Sequence, residues 1–422
     1  MMTPQLSPDT QATALLVGRF GKGEAKPLTR ADFNKVALSL HQRGLRPSDL
    51  FRRVPDDLPV DEGRIARLIG RGTALALAIE EWSQIGVKVV SRGDVDYPDR
   101  FKKQLKGGAA PILYYAGDLT LLERATISVV GSRDATDAGL AFANAIGQRA
   151  ASEDLVTVSG DARGVDRAAM EGALDAGGAV IGILADSMSK SVLSKRYRGA
   201  IREGRLLLLS HVEPDARFTV GQAMERNRYL YTAADVVIVA DSDIKGGTWS
   251  GALENVKRRW TPAYVRQGSE QRPGNVALLG EGLIGLDDTW LSEGKSLRSL
   301  YEGQMPAGDT LPLFETAAEK SRPETVGAAP ESQAGTGPEI EPETFTNATA
   351  DARALFTLFV DRLKMWLARG PQTTDVIAAR FTLERSQVER WLIRAKDEGM
   401  IAAEGNLWTT FETPATVERG KS

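Results

Sequence analysis

The chain lacks cysteine altogether and contains only two histidines, His41 and His211, among its 422 residues. Without thiols it can form no disulfide, no thiolate zinc site and no cysteine nucleophile. Two histidines are too few for a histidine-rich metal site, and they disfavour a Ser-His-Asp triad. We therefore expect no metal and no bound cofactor.

Long apolar runs are missing as well. No stretch approaches 18 uninterrupted apolar residues, so the sequence predicts no membrane-spanning helix. The first residues, MMTPQLSPDTQ, lack the positive start and apolar run of a signal peptide. These two absences favour a cytoplasmic protein with no membrane partner.

Charge is present in similar amounts of both signs but is unevenly distributed. The net charge of −3 argues weakly against a nucleic-acid partner. Residues 303–350, however, hold eight acidic and two basic residues, so the remainder of the chain carries about +3. The whole-chain value is therefore a poor guide to the partner.

The acidic stretch also marks a domain boundary. It contains six prolines and no sustained apolar period, a composition that buries too little apolar surface to fold. We predict a disordered acidic linker over residues 301–350. It separates a helical N-terminal domain (1–84) and an α/β core (85–300) from a small C-terminal domain (351–415).

Within the core, short apolar runs alternate with amphipathic stretches. Such uninterrupted runs are typical of strands that are buried on both faces of a parallel sheet. The pattern predicts a Rossmann-like doubly wound parallel sheet. Its strands are expected at VKVVS (87–91), ISVVG (127–131), LVTVSG (155–160), AVIGIL (179–184), RLLLLS (205–210) and ADVVIVA (234–240).

The C-terminal segment reads as three helices, at 355–370, 373–381 and 384–400, followed by a hairpin at 401–411. This order predicts a winged helix-turn-helix. Residues 353–411 carry nine basic and seven acidic side chains, whereas a dedicated duplex reader is usually more basic. A protein contact or an accessory DNA role is therefore favoured over sequence-specific repression.

Two strands of the core end in glycine-rich turns that open helices. The first turn follows Val130 and the second follows Val158; both contain an arginine, and their sequences are GSR (131–133) and SGDARGVD (159–166). Ligands of doubly wound sheets bind beyond the carboxyl ends of the strands, where glycine lets backbone amides approach a phosphate. Arginine adds a bidentate phosphate donor. Neither turn has the spacing of a dinucleotide fingerprint or a P-loop, and the glycines could alternatively serve packing alone.

Several motifs occur in an order that resembles the DNA-processing protein A family (DprA, also called Smf), within the wider group related to lysine-decarboxylase-like (LOG) proteins. The resemblance covers about residues 85–290. It rests on YP (97–98), PILY (111–114), VVGSR (129–133), SGDARGVD (159–166), RNR (226–228), AD (234–235), GGTWSGA (246–252), PGN (273–275) and GEGLI (280–284).

This resemblance implies a non-catalytic protein that binds single-stranded DNA in a basic pocket and dimerises through its Rossmann-like core. It also implies delivery of the strand to the RecA recombinase during DNA uptake and recombination. The residues it assigns to the phosphate pocket and its border are Gly131, Ser132, Arg133, Ser159, Gly160, Arg163, Gly164, Asn227, Arg228, Gly247 and Thr248. Asp166 is expected to cap the helix that it opens.

Two departures from the family keep other functions open. Asp161 stands where the family has a small or apolar residue, and Met170 stands where it has a histidine. A carboxylate beside a phosphate pocket would weaken binding or select another ligand. One alternative is the regulatory or antitoxin half of an anti-phage defence pair, with a toxin as partner. Another is a LOG-like hydrolase of nucleotide N-glycosidic bonds, although Glu254 lies later than the LOG glutamate.

A further basic cluster lies between two predicted strands. Its members are Lys190, Lys195, Arg196, Arg198 and Arg202. They could follow a nucleic-acid backbone or simply form a solvated helix face. His211 follows a strand at the ligand edge, where a single histidine is more often structural.

Overall fold

The computed structural model describes residues 6–20, 26–302, 360, 363–364, 367, 370–381 and 385–409. The N-terminal region is helical, as predicted. Its α-helices are α1 (Pro8–Val17), α2 (Arg30–Gln42), α3 (Glu62–Ile69) and α4 (Gly72–Gln84), with a 3₁₀ turn at Pro47–Phe51. Thr29 caps α2 by accepting a hydrogen bond from the amide of Asp32.

A nine-stranded sheet forms the centre of the molecule, with the order β1-β2-β6-β5-β4-β3-β7-β8-β9. The strands are β1 (Lys88–Ser91), β2 (Ile112–Ala116), β3 (Thr126–Gly131), β4 (Val156–Ser159), β5 (Val180–Leu184), β6 (Leu206–Ser210), β7 (Val236–Asp241), β8 (Ala263–Gln267) and β9 (Ile284–Asp287). All six predicted strands are confirmed. The prediction of a wholly parallel sheet is wrong at one edge, because β2 pairs antiparallel with both β1 and β6.

Helices cover both faces of the sheet, as the unbroken apolar strands require. One face carries α5 (Asp99–Leu105), α10 (Val220–Thr232), α11 (Gly247–Arg258) and α12 (Pro273–Gly280). The other carries α6 (Asp137–Ser152), α7 (Val165–Asp175), α8 (Met188–Leu193) and α9 (Lys195–Arg202), together with α1 and α4. Two short helices, α13 (Thr289–Ser292) and α14 (Ser299–Glu302), follow β9.

The C-terminal region has its own apolar cluster. It contains β10 (Gln372–Thr373), α15 (Thr374–Phe381), α16 (Arg385–Asp397), β11 (Ala402–Glu404) and β12 (Leu407–Thr409), with β12 central in a three-stranded sheet. The two later helices and the hairpin are where the sequence predicts them. Most of the first predicted helix and the predicted linker lie outside the described residues, so the winged-helix assignment stays a prediction. Leu77 of α4 belongs to the same apolar cluster.

No helix in the described ranges is both long and apolar enough to cross a membrane.

Candidate functional site

The chain changes direction across the sheet at β3 and β7. After β3 the connections lead to β4, β5 and β6 on one side, and after β7 they lead to β8 and β9 on the other. The register between the two strands shifts between Val130 and Gly131, so the backbone of β3 changes direction at its last residue. A crevice at the carboxyl ends of two such strands is where open α/β sheets bind ligands.

A cavity of about 310 Å³ lies in this crevice. Segments from four parts of the chain line it: the first turn, the second turn with the start of α7, the segment leading into α10 with one face of that helix, and the turn before α11 with its first residues. The sequence-predicted residues among its walls are Gly131, Ser132, Arg133, Asn227, Gly247 and Thr248. Three separate motifs of the sequence therefore meet at one cavity.

The second glycine turn packs directly on the first. The amide of Val165 donates to the carbonyl of Ser132 at 3.2 Å. Gly164 has a positive φ of 88° and is the N-cap of α7. A side chain there would also meet the carbonyl oxygens of Ser132 and Arg133. This glycine therefore permits both the turn and the close contact.

A buried ion pair forms part of the cavity wall. Arg226 Nη1 lies 3.6 Å from an Asp166 carboxylate oxygen, both side chains are 6% exposed, and Nη1 also donates to the carbonyl of Ile183 at 3.0 Å. Burial raises the pKa of Asp166, against the opposing effects of Arg226 and of backbone hydrogen bonds from Ala162 and Gly131. Asp166 thus contacts both turns. The expectation that it caps α7 is wrong, because the cap is Gly164 without a side-chain bond.

The carboxylates around the cavity are paired with cations. Asp134 binds Arg163 at 2.6 Å, and Arg272 lies 3.2 Å from Asp241 and 3.7 Å from Asp243.

Two exposed cations of the wall, Arg133 and Lys245, have no ion pair among the contacts of the described residues. The cavity therefore offers positive charge to an anionic ligand.

The start of α11 adds backbone donors. Gly246, with a φ of 95°, is its N-cap and makes no side-chain capping bond, so the first-turn amides are open to a ligand. Asn227 fixes this turn by donating to the carbonyl of Gly247 at 3.0 Å. The positive end of the helix dipole thus points at the cavity that Gly247 and Thr248 line.

One rim of the cavity is apolar and was not predicted. Phe218 is 43% exposed, and the guanidinium of Arg133 lies 4.8 Å from the centre of its ring. Val220 and Met224, at the start of α10, are exposed beside it. An exposed aromatic ring beside a cationic pocket is a surface on which a nucleobase can stack.

The remaining sequence-predicted residues support the cavity or lie at its edge. Ser159 is buried and donates to the carbonyl of Val129 at 2.6 Å, and Gly160 packs against Arg226. Arg163 is exposed and holds Asp134. Arg228 does not line the cavity, because its guanidinium Nε pairs with Glu254 at 3.2 Å. Glu254, the carboxylate on which a hydrolase would depend, is thereby held outside the cavity.

Both departures from the family pattern are accommodated away from the cavity. Met170 is fully buried in the apolar core. Asp161 does not line the cavity; its carboxylate accepts a hydrogen bond from the hydroxyl of Tyr197 in α9. The Asp161 carboxylate is therefore not part of the cavity wall.

The accessory basic residues lie on α8 and α9, and all are exposed. Arg196 forms an ion pair with Glu171 of α7. Lys195, Arg198 and Arg202 follow each other at the spacing of one helix face, and none has an ion pair among the contacts of the described chain. Lys190 lies on α8.

His211 is buried and stacks on Tyr229, with ring centroids 5.6 Å apart. Burial lowers its pKa to about 3, so the imidazole is neutral near pH 7, as suits a core residue. In the described part of the chain, no three histidine, aspartate or glutamate side chains come together in a way that could hold a metal ion.

The sequence of this α/β region matches a known family. The model of DNA recombination-mediator protein A matches residues 88–277. This segment of the chain is therefore similar to the DNA recombination-mediator protein A family. The matched segment contains β1 to β8 and every residue that lines the cavity. It is also where the motif order resembles DprA, so that prediction is confirmed.

Individual proteins are similar to parts of the chain. DNA processing protein DprA of Streptococcus pneumoniae is 32% identical over 142 residues, which is 33% of this chain and half the length of that protein. The X-ray structure of DprA from the same species superposes with a TM-score of 0.52 at 20% identity, over 68% of this chain and 98% of the other. A Helicobacter pylori DNA processing protein A, described with its single-stranded DNA binding mode, gives a TM-score of 0.40 at 27% identity, over 47% and 90%.

Proposed function

We propose that this chain binds single-stranded DNA in the cavity between β3 and β7, without altering it chemically, and delivers the strand to a recombinase. The observation that carries the proposal is the convergence of Arg133, Lys245 and the uncapped start of α11 on one cavity. The matched family is described as a recombination mediator, which supports the last step.

Phosphate is the ligand group that this chemistry suits. Free amides at a helix start and an arginine beside them are a common anion site, and the helix dipole adds to their effect. The carboxylates nearby are held by Arg163, Arg226 and Arg272, so Arg133 and Lys245 remain available. A DNA backbone neutralised in this way releases counterions, which makes binding salt-dependent.

The apolar rim supports a single strand over a duplex. A base can lie against Phe218 only if it has left its stack, and removing a base from a duplex costs a few kcal/mol. Stacking is tolerant of sequence because every base has an aromatic face. The proposal is therefore binding with little base readout, in which phosphates fix the strand and Phe218 supports a base.

Titration of a labelled oligo-dT by the protein at several salt concentrations tests the proposal. On a plot of the logarithm of the association constant against the logarithm of the salt concentration, the slope should be about −0.7 for each phosphate that is neutralised. Arg133→Ala and Lys245→Ala should each weaken binding and make the slope shallower by about that amount. Lys257→Ala is the matched control, because Lys257 is an exposed cation in the last turn of α11, at the end of the helix away from the cavity.

Absence of binding by the unaltered chain would refute the proposal. So would slopes that are equal in Arg133→Ala, Lys245→Ala and the control, since the cavity would then not be where phosphates bind. Homodimerisation through the α/β core, RecA as the recombinase and a toxin as an alternative partner stay predictions of the sequence.

A further inference from the structure

The second glycine turn contains one residue in an unusual conformation. Asp161 has a φ of 54°, in the left-handed region that side chains other than those of asparagine and aspartate rarely occupy. This conformation sends its carboxylate away from the cavity, although the next residue, Ala162, lines it. The carboxylate is 14% exposed and meets the hydroxyl of Tyr197 and, at 3.8 Å, the guanidinium Nε of Arg167.

Tyr197 is in a position to hold this carboxylate firmly. Its side chain is 2% exposed and belongs to the apolar cluster under α8 and α9. Burial raises the pKa of the Tyr197 phenol, so the hydroxyl keeps its proton and donates to Asp161. The apolar core therefore holds the Tyr197 hydroxyl in place, and its hydrogen bond holds the Asp161 carboxylate.

The surroundings of Asp161 decide what happens without that hydrogen bond. Arg167 on α7 and Arg196 on α9 attract the carboxylate, whereas Asp186, which follows β5, repels it. Its charge also acts on the buried pair of Asp166 and Arg226 in the cavity wall. Without Tyr197, only Arg167 and Arg196 hold the carboxylate outside the cavity, and rotation of its side chain would bring its charge closer to the amides of the second turn.

We infer that Tyr197 is a positioning residue for anion binding, since it holds the Asp161 carboxylate away from the cavity and leaves the amides and cations there to the ligand. The inference rests on the proposed function. It also explains how an acidic residue can stand in a phosphate-binding turn where the family has a small or apolar one.

A double-mutant cycle on the full chain tests it, with labelled oligo-dT as the probe. Tyr197→Phe removes only the hydroxyl and should weaken binding about tenfold, because the released carboxylate would repel a phosphate in the cavity. Asp161→Asn keeps an acceptor and tolerates the same backbone conformation, so it should bind at least as well as the unaltered chain. The double variant should bind within about twofold of Asp161→Asn, because no charge remains to be misplaced.

Rescue by Asp161→Asn separates the electrostatic role from packing. If the double variant binds as weakly as Tyr197→Phe, the tyrosine acts through packing and the inference is wrong. Unchanged binding by Tyr197→Phe overturns the inference as well.

Should Tyr197→Phe melt below the assay temperature, Asp161→Glu and Asp161→Gln give a matched pair that differs in charge alone. The glutamate, which is one methylene longer, should bind more weakly, and equal affinities would overturn the inference. Failure of the unaltered chain to bind at all refutes the proposed function instead, and the inference falls with it.

Discussion

Position 160 accepts only glycine, because a β-carbon there would overlap the guanidinium of Arg226 and crowd the carboxylate of Asp166. Gly160→Ala must therefore displace Arg226 from Asp166 and from the carbonyl of Ile183. Breaking a buried ion pair costs about 3–5 kcal/mol, so we expect the free energy of unfolding to fall by roughly 3 kcal/mol. Urea unfolding followed by circular dichroism measures this loss.

The control for that substitution is Gly280→Ala, in the last residue of α12, where a β-carbon meets no atom within 4 Å and φ is not positive. It should leave the urea midpoint almost unchanged. If both variants lose the same free energy of unfolding, the position of Arg226 does not require a glycine at position 160.

If DNA bases contribute to the binding free energy, we expect them to do so by stacking on Phe218. Phe218→Ala should weaken binding of oligo-dT by about 1–3 kcal/mol, the usual contribution of one stacked base. Phe218→Tyr keeps the aromatic face and should bind like the unaltered chain. An abasic oligonucleotide of equal length should bind both variants alike; a difference that persisted on it would show that Phe218 acts on the backbone.

The polar half of this site could be predicted from the sequence, but its apolar rim could not. Gly131 and Arg133 stand in turns between a strand and a helix, where chain order alone brings residues to the ligand edge. Phe218 stands in an irregular segment before α10, and nothing local in the sequence says that it meets Arg133. The bond between Asp161 and Tyr197 was equally hidden, because it joins two connections through their packing.

At the scale of elements, burial favoured the recognition of strands but did not decide it, since the buried inner strand β2 was not predicted and the edge strand β1 was. The six predicted strands lie mainly inside the sheet and read as apolar runs. β8 is interrupted by Arg266, which is 1% exposed and which pairs with Asp288 at 2.7 Å and donates to the carbonyl of Ser269 at 2.6 Å. β9 is an edge strand with three exposed residues out of four. Neither strand carries the apolar run that marks the inner strands.

If DNA binds as proposed, helix α9 is where a longer strand is expected to continue beyond the cavity. Tyr197 ties it to the second turn, and its exposed face carries Lys195, Arg198 and Arg202. The double variant Lys195→Ala, Arg198→Ala should weaken binding of an oligonucleotide of about 16 residues more than that of one of about four, because only the longer strand reaches α9. Lys257→Ala is again the control, since Lys257 is an exposed cation on α11, away from α9 and from the cavity.

A length-independent effect of the α9 double variant would contradict this path. It would show that the two cations act on the cavity through the general field of the protein, not by contact with the DNA backbone.

At the scale of the whole molecule, the α/β region should bind DNA without the C-terminal region. A chain that ends after residue 302 keeps Leu297 and Leu300, which are buried in the core, and Tyr301, whose hydroxyl donates to the carbonyl of Thr126 at 2.9 Å. We expect it to bind oligo-dT within about tenfold of the full chain, or roughly 1.4 kcal/mol. The fragment 351–422 should bind weakly, because its few excess cations release few counterions.

Titration of both pieces with one oligonucleotide decides where binding lies. If the fragment 351–422 binds as tightly as the full chain and the chain that ends after residue 302 does not bind, the C-terminal region is the DNA-binding domain. The shorter chain also uncovers Leu77, which is 2% exposed in the full chain, so a modest drop in melting temperature is expected beside unchanged binding.

The position of the cavity at the change of direction between β3 and β7 also affects how the sheet opens. Its walls come from residues 130–134 and 162–166 on one side and from residues 218–231 and 243–248 on the other. A DNA strand held there is lost when either side unfolds locally, so by mass action its presence raises the free energy of both openings. Amide hydrogen exchange should then slow in β3 and β7 together while the edge strands β1 and β9 exchange as before. The affinity for a DNA strand and the resistance of the two halves of the sheet to local unfolding therefore depend on each other.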